Sequence, residues 1–389
     1  MIKMMMPHNI VSIFRHLSWS SAWAFFLVPS RLTRTIKPLI LSPFRAHLAY
    51  LLFLSFLGYL VLISTNLRLA PPNARLPGLE AAFMSISAVT SSSMSTVEME
   101  LFTNAQLLVL TLLMFLGGEV FISMLALFLE TRQETSAGGM TTPPDTSPSS
   151  LAELGINKSN DVDDYALTSP DSELTAVSFE KLTVVKALAY LVLAYILVIH
   201  FCGSLLVYLY MITVPTAAHV LKSKSILPGT FSLFLISSSF ANCGFVPTNE
   251  NMAVFKTDSV LLLLVVLQIL MGNTLYPICI RILIRVMEFV TRNSLYTHML
   301  NKSNPAGYSH LLSGPATRWF GWTGVAFVAS QVVMLGALEW GSEAFRGMGW
   351  FERLAACLFQ SVNSRHAGES VVDLAILSPA ILVLFILMM

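Results

Sequence analysis

The stretch Phe240-Ala241-Asn242-Cys243-Gly244-Phe245-Val246-Pro247-Thr248-Asn249-Glu250-Asn251 interrupts apolar segments long enough to cross a membrane. Irregular backbone survives at that depth only where it is buried in protein or lines water, because lipid offers its N–H and C=O groups no partner. The stretch therefore predicts a cavity or pore. Thr90 to Glu100 and Asn363 to Ser370 stand in the same relation to their neighbours, so the chain uses one device three times. Composition agrees: 55% of residues are hydrophobic and 12% charged, against about 25% charged in a soluble domain. The chain reads as an all-α integral membrane protein. Its formal net charge of +1 gives no case for nucleic acid as a partner. Cys202, Cys243, Cys279 and Cys357 fall in apolar or pore-like segments, with neither a disulfide framework nor a zinc spacing.

Hydropathy divides the chain in order. Residues 1–45 form a basic segment carrying Lys3, Arg15, Arg31, Arg34, Lys37 and Arg45. Residues 46–130 hold a span near 47–65, a short apolar segment near 79–89, the serine-rich turn, and a second span near 106–129. An apolar segment too short to span and running into a polar turn reads as a re-entrant half-helix. Residues 131–186 are a flexible linker rich in Pro, Ser, Thr and acidic residues, which bury too little apolar surface to fold alone. Residues 187–285 repeat the pattern, with a half-helix near 231–240 and a closing span near 259–284. A hydrophilic joint follows at 286–318, then a third unit at 319–389 whose half-helix is near 354–362. The excess of Lys and Arg puts the N-terminus, linker and joint in the cytosol and the turns on the outside. The sequons at Asn157 and Asn301 then lie on the side where glycosylation is not expected.

A dehydrating cation needs a ring of oxygen ligands, and a half-helix ending in extended chain supplies them as carbonyls. Gly244 and Gly368 suit such a path because glycine takes backbone angles that strain other residues and leaves room beside the chain. Ser92 is assigned the corresponding place in the first turn, with Ser91, Ser93, Asn242, Cys243 and Ala367 as flanks. Glu98 and Glu100 are expected to concentrate cations at the outer mouth. Arg365 is expected to pair with Glu369 and brace its turn, a better reading than a pH-sensing role for His366. Gly117, Gly118 and Gly272 suggest close helix packing rather than ion contact. Glu119, in mid-span, reads equally as a functional or a paired carboxylate.

The strings 90–100, 240–251, 272–277 (Gly-Asn-Thr-Leu-Tyr-Pro) and 362–370 (Val-Asn-Ser-Arg-His-Ala-Gly-Glu-Ser) resemble the plant HKT high-affinity potassium/sodium transporters of the Trk/Ktr/HKT superfamily. The resemblance runs from about residue 46 to the end. It implies repeated span/pore-helix/span units around a central cation path, with one filter residue from each unit, here Ser92, Gly244 and Gly368. Three of the expected four units are found, the fourth being absent from this sequence. Serine at the first filter position implies sodium preference, whereas glycine there goes with potassium as well. The implied function is passive sodium transport at the plasma membrane, linked to salt tolerance, with sodium and secondarily potassium as the ions, lipid as the surround, and a homodimer as the assembly.

A second class of function is a non-conducting form that associates with and modulates full-length relatives. An enzyme is not expected, since there is no His-Glu-x-x-His helix, P-loop or Gly-x-Ser-x-Gly elbow. No cofactor is called for.

Overall fold

The computed structural model describes residues 43–68, 75–138, 170–301, 308–365 and 367–388. The basic segment up to 42, linker residues 139–169 with Asn157, joint residues 302–307 and His366 lie outside the described residues. The chain divides into two units, Met1–Phe53 and Leu54–Met389. The described part of the first is helical, the opening turns of α1 (Pro43–Ser64). Among the described residues the regular structure of the second is helical, apart from one isolated bridge between Asn66 and Arg75.

Among the described residues three helical stretches are long and apolar enough to cross a membrane: Phe44–Ser64 in α1, Leu182–Thr213 in α5 (Pro170–Thr213), and α11 (Gly314–Glu339). The short half-helices also form. They are α2 (Gly78–Val89), α7 (Pro228–Ala241) and α12 (Trp350–Asn363), each close to its sequence-based bounds. At 1.5 Å per residue, the 14 residues of α7 and of α12 reach about 21 Å, short of the ~30 Å hydrocarbon core. Proline opens α7, where a missing N–H costs nothing. Two of its serines stay satisfied within apolar packing by bonding back along the helix, Ser232 Oγ to Pro228 O at 2.8 Å and Ser239 Oγ to Leu235 O at 2.7 Å.

Two spans differ from expectation. The one read as continuous over 106–129 is α3 (Asn104–Gly117) followed by α4 (Glu119–Gly138), bent by 55°. The one read over 259–284 is α8 (Ser259–Gly272) followed by α9 (Tyr276–Thr291), bent by 81°. Glycine at each break allows the pore helix behind it to come close. A Cβ at Gly117 would stand 1.9 Å from Val89 O at the end of α2, and one at Gly272 would stand 2.0 Å from Phe240 O near the end of α7. Gly117 and Gly272 thus serve packing, as their sequence context suggests, whereas Gly118 makes only ordinary contacts. The Tyr195 hydroxyl donates to Met271 O at 2.8 Å, beside the second break. α3 starts on a capping box, Thr103 with Gln106.

The remaining elements are α6 (Pro215–Ser223), α10 (Ser294–Asn301) and α13 (Pro379–Met388). Asp373 accepts from Ala375 N at 2.9 Å and caps a short 3-10 turn. One apolar core packs α7, α8 and α12 together, with Phe231, Leu235, Phe255, Leu262, Val265 and Phe359 fully buried. Outward faces of the long helices expose Phe201, Trp319, Trp322 and Val333, the pattern of a lipid-facing surface.

Candidate functional site

The first two half-helices, α2 and α7, end in turns with the same backbone pattern. In the first, Ser91 N donates to Ala88 O at 3.4 Å and Ser92 N to Ser87 O at 3.1 Å. In the second, Asn242 N donates to Ser239 O at 3.3 Å and Cys243 N to Ser238 O at 2.9 Å. These bonds put Ser91 in register with Asn242 and Ser92 with Cys243, so the partner of Gly244 is Ser93. The dihedrals agree: φ is +51° and +55° at Ser91 and Ser93, and +54° and +76° at Asn242 and Gly244. In the third turn the positive angle falls at Gly368, +80°.

Space confirms the register. A Cβ at Gly244 would lie 2.4 Å from Ala367 O and 2.7 Å from Gly368 Cα. One at Gly368 would lie 2.9 Å from Ser93 Oγ and 3.2 Å from Gly244 Cα. Ser93, Gly244 and Gly368 therefore converge, whereas sequence reading put Ser92 in this group. Ser92 turns away, its Oγ 3.0 Å from Ser87 Oγ, which itself bridges the turn by donating to Met94 O at 2.7 Å. One signal in the sequence does carry this register: Ser93 and Gly244 both precede a large apolar residue, Met94 and Phe245. The flanks Asn242, Cys243 and Ala367 are buried behind the convergence.

Bonds between turns tie them into one assembly. Met252 N donates to Ser370 O at 3.0 Å and Ser370 N to Asn251 Oδ1 at 3.1 Å, joining second to third. Asn249 joins first to second: its N donates to Glu100 Oε1 at 3.0 Å and its Nδ2 to Glu98 Oε2 at 3.1 Å. Lys224 closes this clamp by pairing with both Glu100 and Glu250. The Arg68 guanidinium holds the Lys224 carbonyl at 3.1 Å and Asn104 Oδ1 at 3.0 Å. Glu98 and Glu100, read as open cation attractors, are thus braced, and Glu100 already has an ammonium partner.

The clamp makes a testable contribution to stability. In Lys224→Gln, two carboxylates face each other without their cation, and Lys224 and Glu100 side chains are only 14% and 17% exposed. The expected loss is on the order of 1–2 kcal/mol, between exposed and buried pairs. Thermal melting in low salt reads it, with Glu250→Gln, at a 54% exposed carboxylate, losing less; equal melting of Lys224→Gln and wild type would contradict the clamp. The bond from Lys224 holds the Glu250 carboxyl below the ordinary carboxylate range. Its contribution is therefore complete above that range and fades as pH falls through the lowered value.

Arg365 and Glu369 do not meet. Among the described residues Arg365 makes no ion pair; its guanidinium lies over the Phe327 ring at 5.9 Å. Glu369 points the other way, to Ser239 Oγ at 2.6 Å on α7. At the helix breaks, Glu119 has His310 Nε2 at 3.7 Å and a side chain 72% exposed. Beside it Tyr276, Tyr308 and Ser123 form a hydroxyl chain, with contacts of 2.6 and 2.9 Å. No group of His, Cys, Asp and Glu among the described residues forms a metal-binding cluster.

Residues 150–389 match TrkH, the cation transport protein family. The chain is similar to the cation transporter HKT1;3 of Oryza sativa subsp. japonica, 40% identical over 367 residues that cover 90% of this chain and 66% of that protein. It is similar to the sodium transporter HKT1 of Arabidopsis thaliana, 45% identical over 312 residues that cover 79% of this chain and 60% of that protein. The crystal structure of the potassium transporter TrkH from Vibrio parahaemolyticus resembles it with a TM-score of 0.48 at 17% identity, over 88% of this chain and 55% of that one. The chain spans 66% or less of the length of these proteins.

Proposed function

This chain belongs to the TrkH/HKT family of cation transport proteins, and from that premise we propose that its three turns line the path of a passive, sodium-selective transporter. The observation that carries the reading is the convergence of Ser93, Gly244 and Gly368 at the ends of α2, α7 and the turn after α12. Glycine at two of these places keeps side chains off the path and leaves backbone oxygens to replace a cation's water. The hydroxyl of Ser93 adds an oxygen or narrows the passage, and either effect disfavours a larger ion. No covalent chemistry is involved.

Support for sodium comes from the serine and from the printed name of the Arabidopsis relative, a sodium transporter. The path opens outward, by the basic residues assigned to the cytosol, and the plasma membrane is the site of action. Ser93→Gly tests the proposal in proteoliposomes: potassium uptake, low against sodium in wild type, rises toward sodium uptake. An unchanged ratio would count against Ser93 as the selective group. Glycine also suits the φ of +55° there, so the variant retains its fold.

A further inference from the structure

The joint between the first and second turns sets a cation of the protein's own among carboxylates. Glu100 follows Ser93 by seven residues and Glu250 follows Gly244 by six, so each carboxylate stands a short stretch of chain beyond its turn. One ammonium touches both: Lys224 Nζ pairs with Glu100 Oε1 and with Glu250 Oε2. Glu98 joins the group through Asn249, whose Nδ2 donates to Glu98 Oε2 at 3.1 Å while its backbone N donates to Glu100 Oε1 at 3.0 Å. The lysine is itself held from behind. Arg68 Nη1 donates to the Lys224 carbonyl at 3.1 Å and Nη2 to Asn104 Oδ1 at 3.0 Å, and Asn104 Oδ1 also accepts from Leu227 N at 3.3 Å. The Lys224 side chain is 14% exposed and that of Glu250 54%, so the ammonium is enclosed while one of its carboxylates faces water.

Charge decides what such a group admits. Three carboxylates with the cations Lys224 and Arg68 leave one net negative charge at the clamp. A negative mouth enriches a dication by the square of the factor for a monovalent ion, because the Boltzmann exponent scales with charge. A brace alone needs only a hydrogen-bond donor, which a neutral amide supplies; the ammonium also cancels charge. Without it, Glu100 and Glu250 would face each other across a gap that a single nitrogen had bridged, with water at hand on the Glu250 side. Two carboxylates with waters completing the shell suit calcium, as in weak sites of about millimolar affinity. We propose that Lys224 is a specificity-determining residue: its ammonium occupies, as a tethered monovalent cation, the place between Glu100 and Glu250 that a divalent cation would otherwise take, and so keeps divalent cations from blocking the sodium path. The inference rests on reading Ser93, Gly244 and Gly368 as that path.

Current recording from cells expressing the whole chain, with calcium chloride added outside at constant sodium, tests it in wild type, Lys224→Gln, Lys224→Arg, and Lys224→Gln combined with Glu100→Gln. Lys224→Gln is expected to be blocked at calcium concentrations roughly tenfold or more below any that affect wild type, since a unit charge in contact with both carboxylates has gone. Lys224→Arg should behave as wild type, and the double variant should regain insensitivity. A residue that only braced the turns would alter current or melting and leave calcium sensitivity where it was. Thermal melting of the purified proteins reads binding apart from flux: calcium should raise the melting of Lys224→Gln above its value in chelator and leave wild type unmoved, even where the variant folds poorly. Lys224→Gln that calcium neither blocks nor stabilises, or wild type blocked at the same calcium concentration, overturns the proposal alone. Calcium that stabilises Lys224→Gln without touching its sodium current overturns the role at the mouth and leaves the path standing. Absence of sodium current in every form, wild type included, removes the path and the block with it, whatever the melting shows.

Discussion

Gly272→Ala is expected to destabilise the protein by about 3 kcal/mol or more, at or beyond the upper end of overpacking costs in cores. The added Cβ would stand 2.0 Å from Phe240 O, 2.7 Å from its carbonyl carbon and 2.9 Å from its Cα. All three obstacles are backbone, so no side-chain rotation relieves the overlap. The end of α7 would have to move, and the Asn242–Gly244 turn is continuous with it. Gly117 meets Val89 of α2 in the same way, at 1.9 Å. Gly118→Ala is the control: its Cβ would find Met114 O at 3.4 Å and the Ala241 Cβ at 3.5 Å, ordinary contacts. Thermal unfolding in detergent separates them. Gly272→Ala should melt far below Gly118→Ala, and equal melting would contradict the packing of broken span on pore helix.

Gly244→Ala carries the second large effect, with two separable causes. A side chain at φ of +76° is strained, by roughly 1–2 kcal/mol. The same Cβ would also collide with Ala367 O at 2.4 Å and Gly368 Cα at 2.7 Å, forcing the second and third turns apart. Gly347 isolates the first cause, since its φ is +82° and nothing lies within 4 Å of its Cβ position. Melting should therefore fall modestly in Gly347→Ala and further in Gly244→Ala, with cation flux lost in Gly244→Ala alone. If the two variants match in both readouts, the turns do not depend on their mutual contact.

The half-helices were legible because hydropathy marks a segment too short to span, although α7 and α12 begin at Pro228 and Trp350, ahead of the apolar runs near 231 and 354. The glycines that end in positive φ, Gly244 and Gly368, were legible for the same local reason. What hydropathy cannot show is a bend. Averaged over the length of a span, the runs across Gly118–Glu119 and across Asn273–Leu275 stay apolar through breaks of 55° and 81°, so the polar residues at the breaks are lost in the mean. Charge partners were also hidden. Arg365 and Glu369 sit at a spacing that invites a pair, yet Ser239 meets Glu369 across 130 residues and Lys224 meets Glu100 across 124.

The register of the first turn shows how narrow the margin was. Three serines in a row leave the sequence without a glycine to mark the place. The bonds from Ser92 N to Ser87 O and from Cys243 N to Ser238 O, with the positive φ at Ser93, identify the serine that faces Gly244 and Gly368. The tie of Ser92 to Ser87 gives that residue a different duty, holding the end of α2.

Those two serines offer the most direct measurement of the central claim. Current recording from cells expressing the chain, with external sodium and potassium exchanged, would compare Ser93→Gly with Ser92→Gly. The reversal potential of Ser93→Gly is expected to move toward that of a potassium-permeable path while Ser92→Gly keeps the proposed wild-type preference for sodium. A potassium permeability gained in Ser92→Gly and not in Ser93→Gly would contradict it.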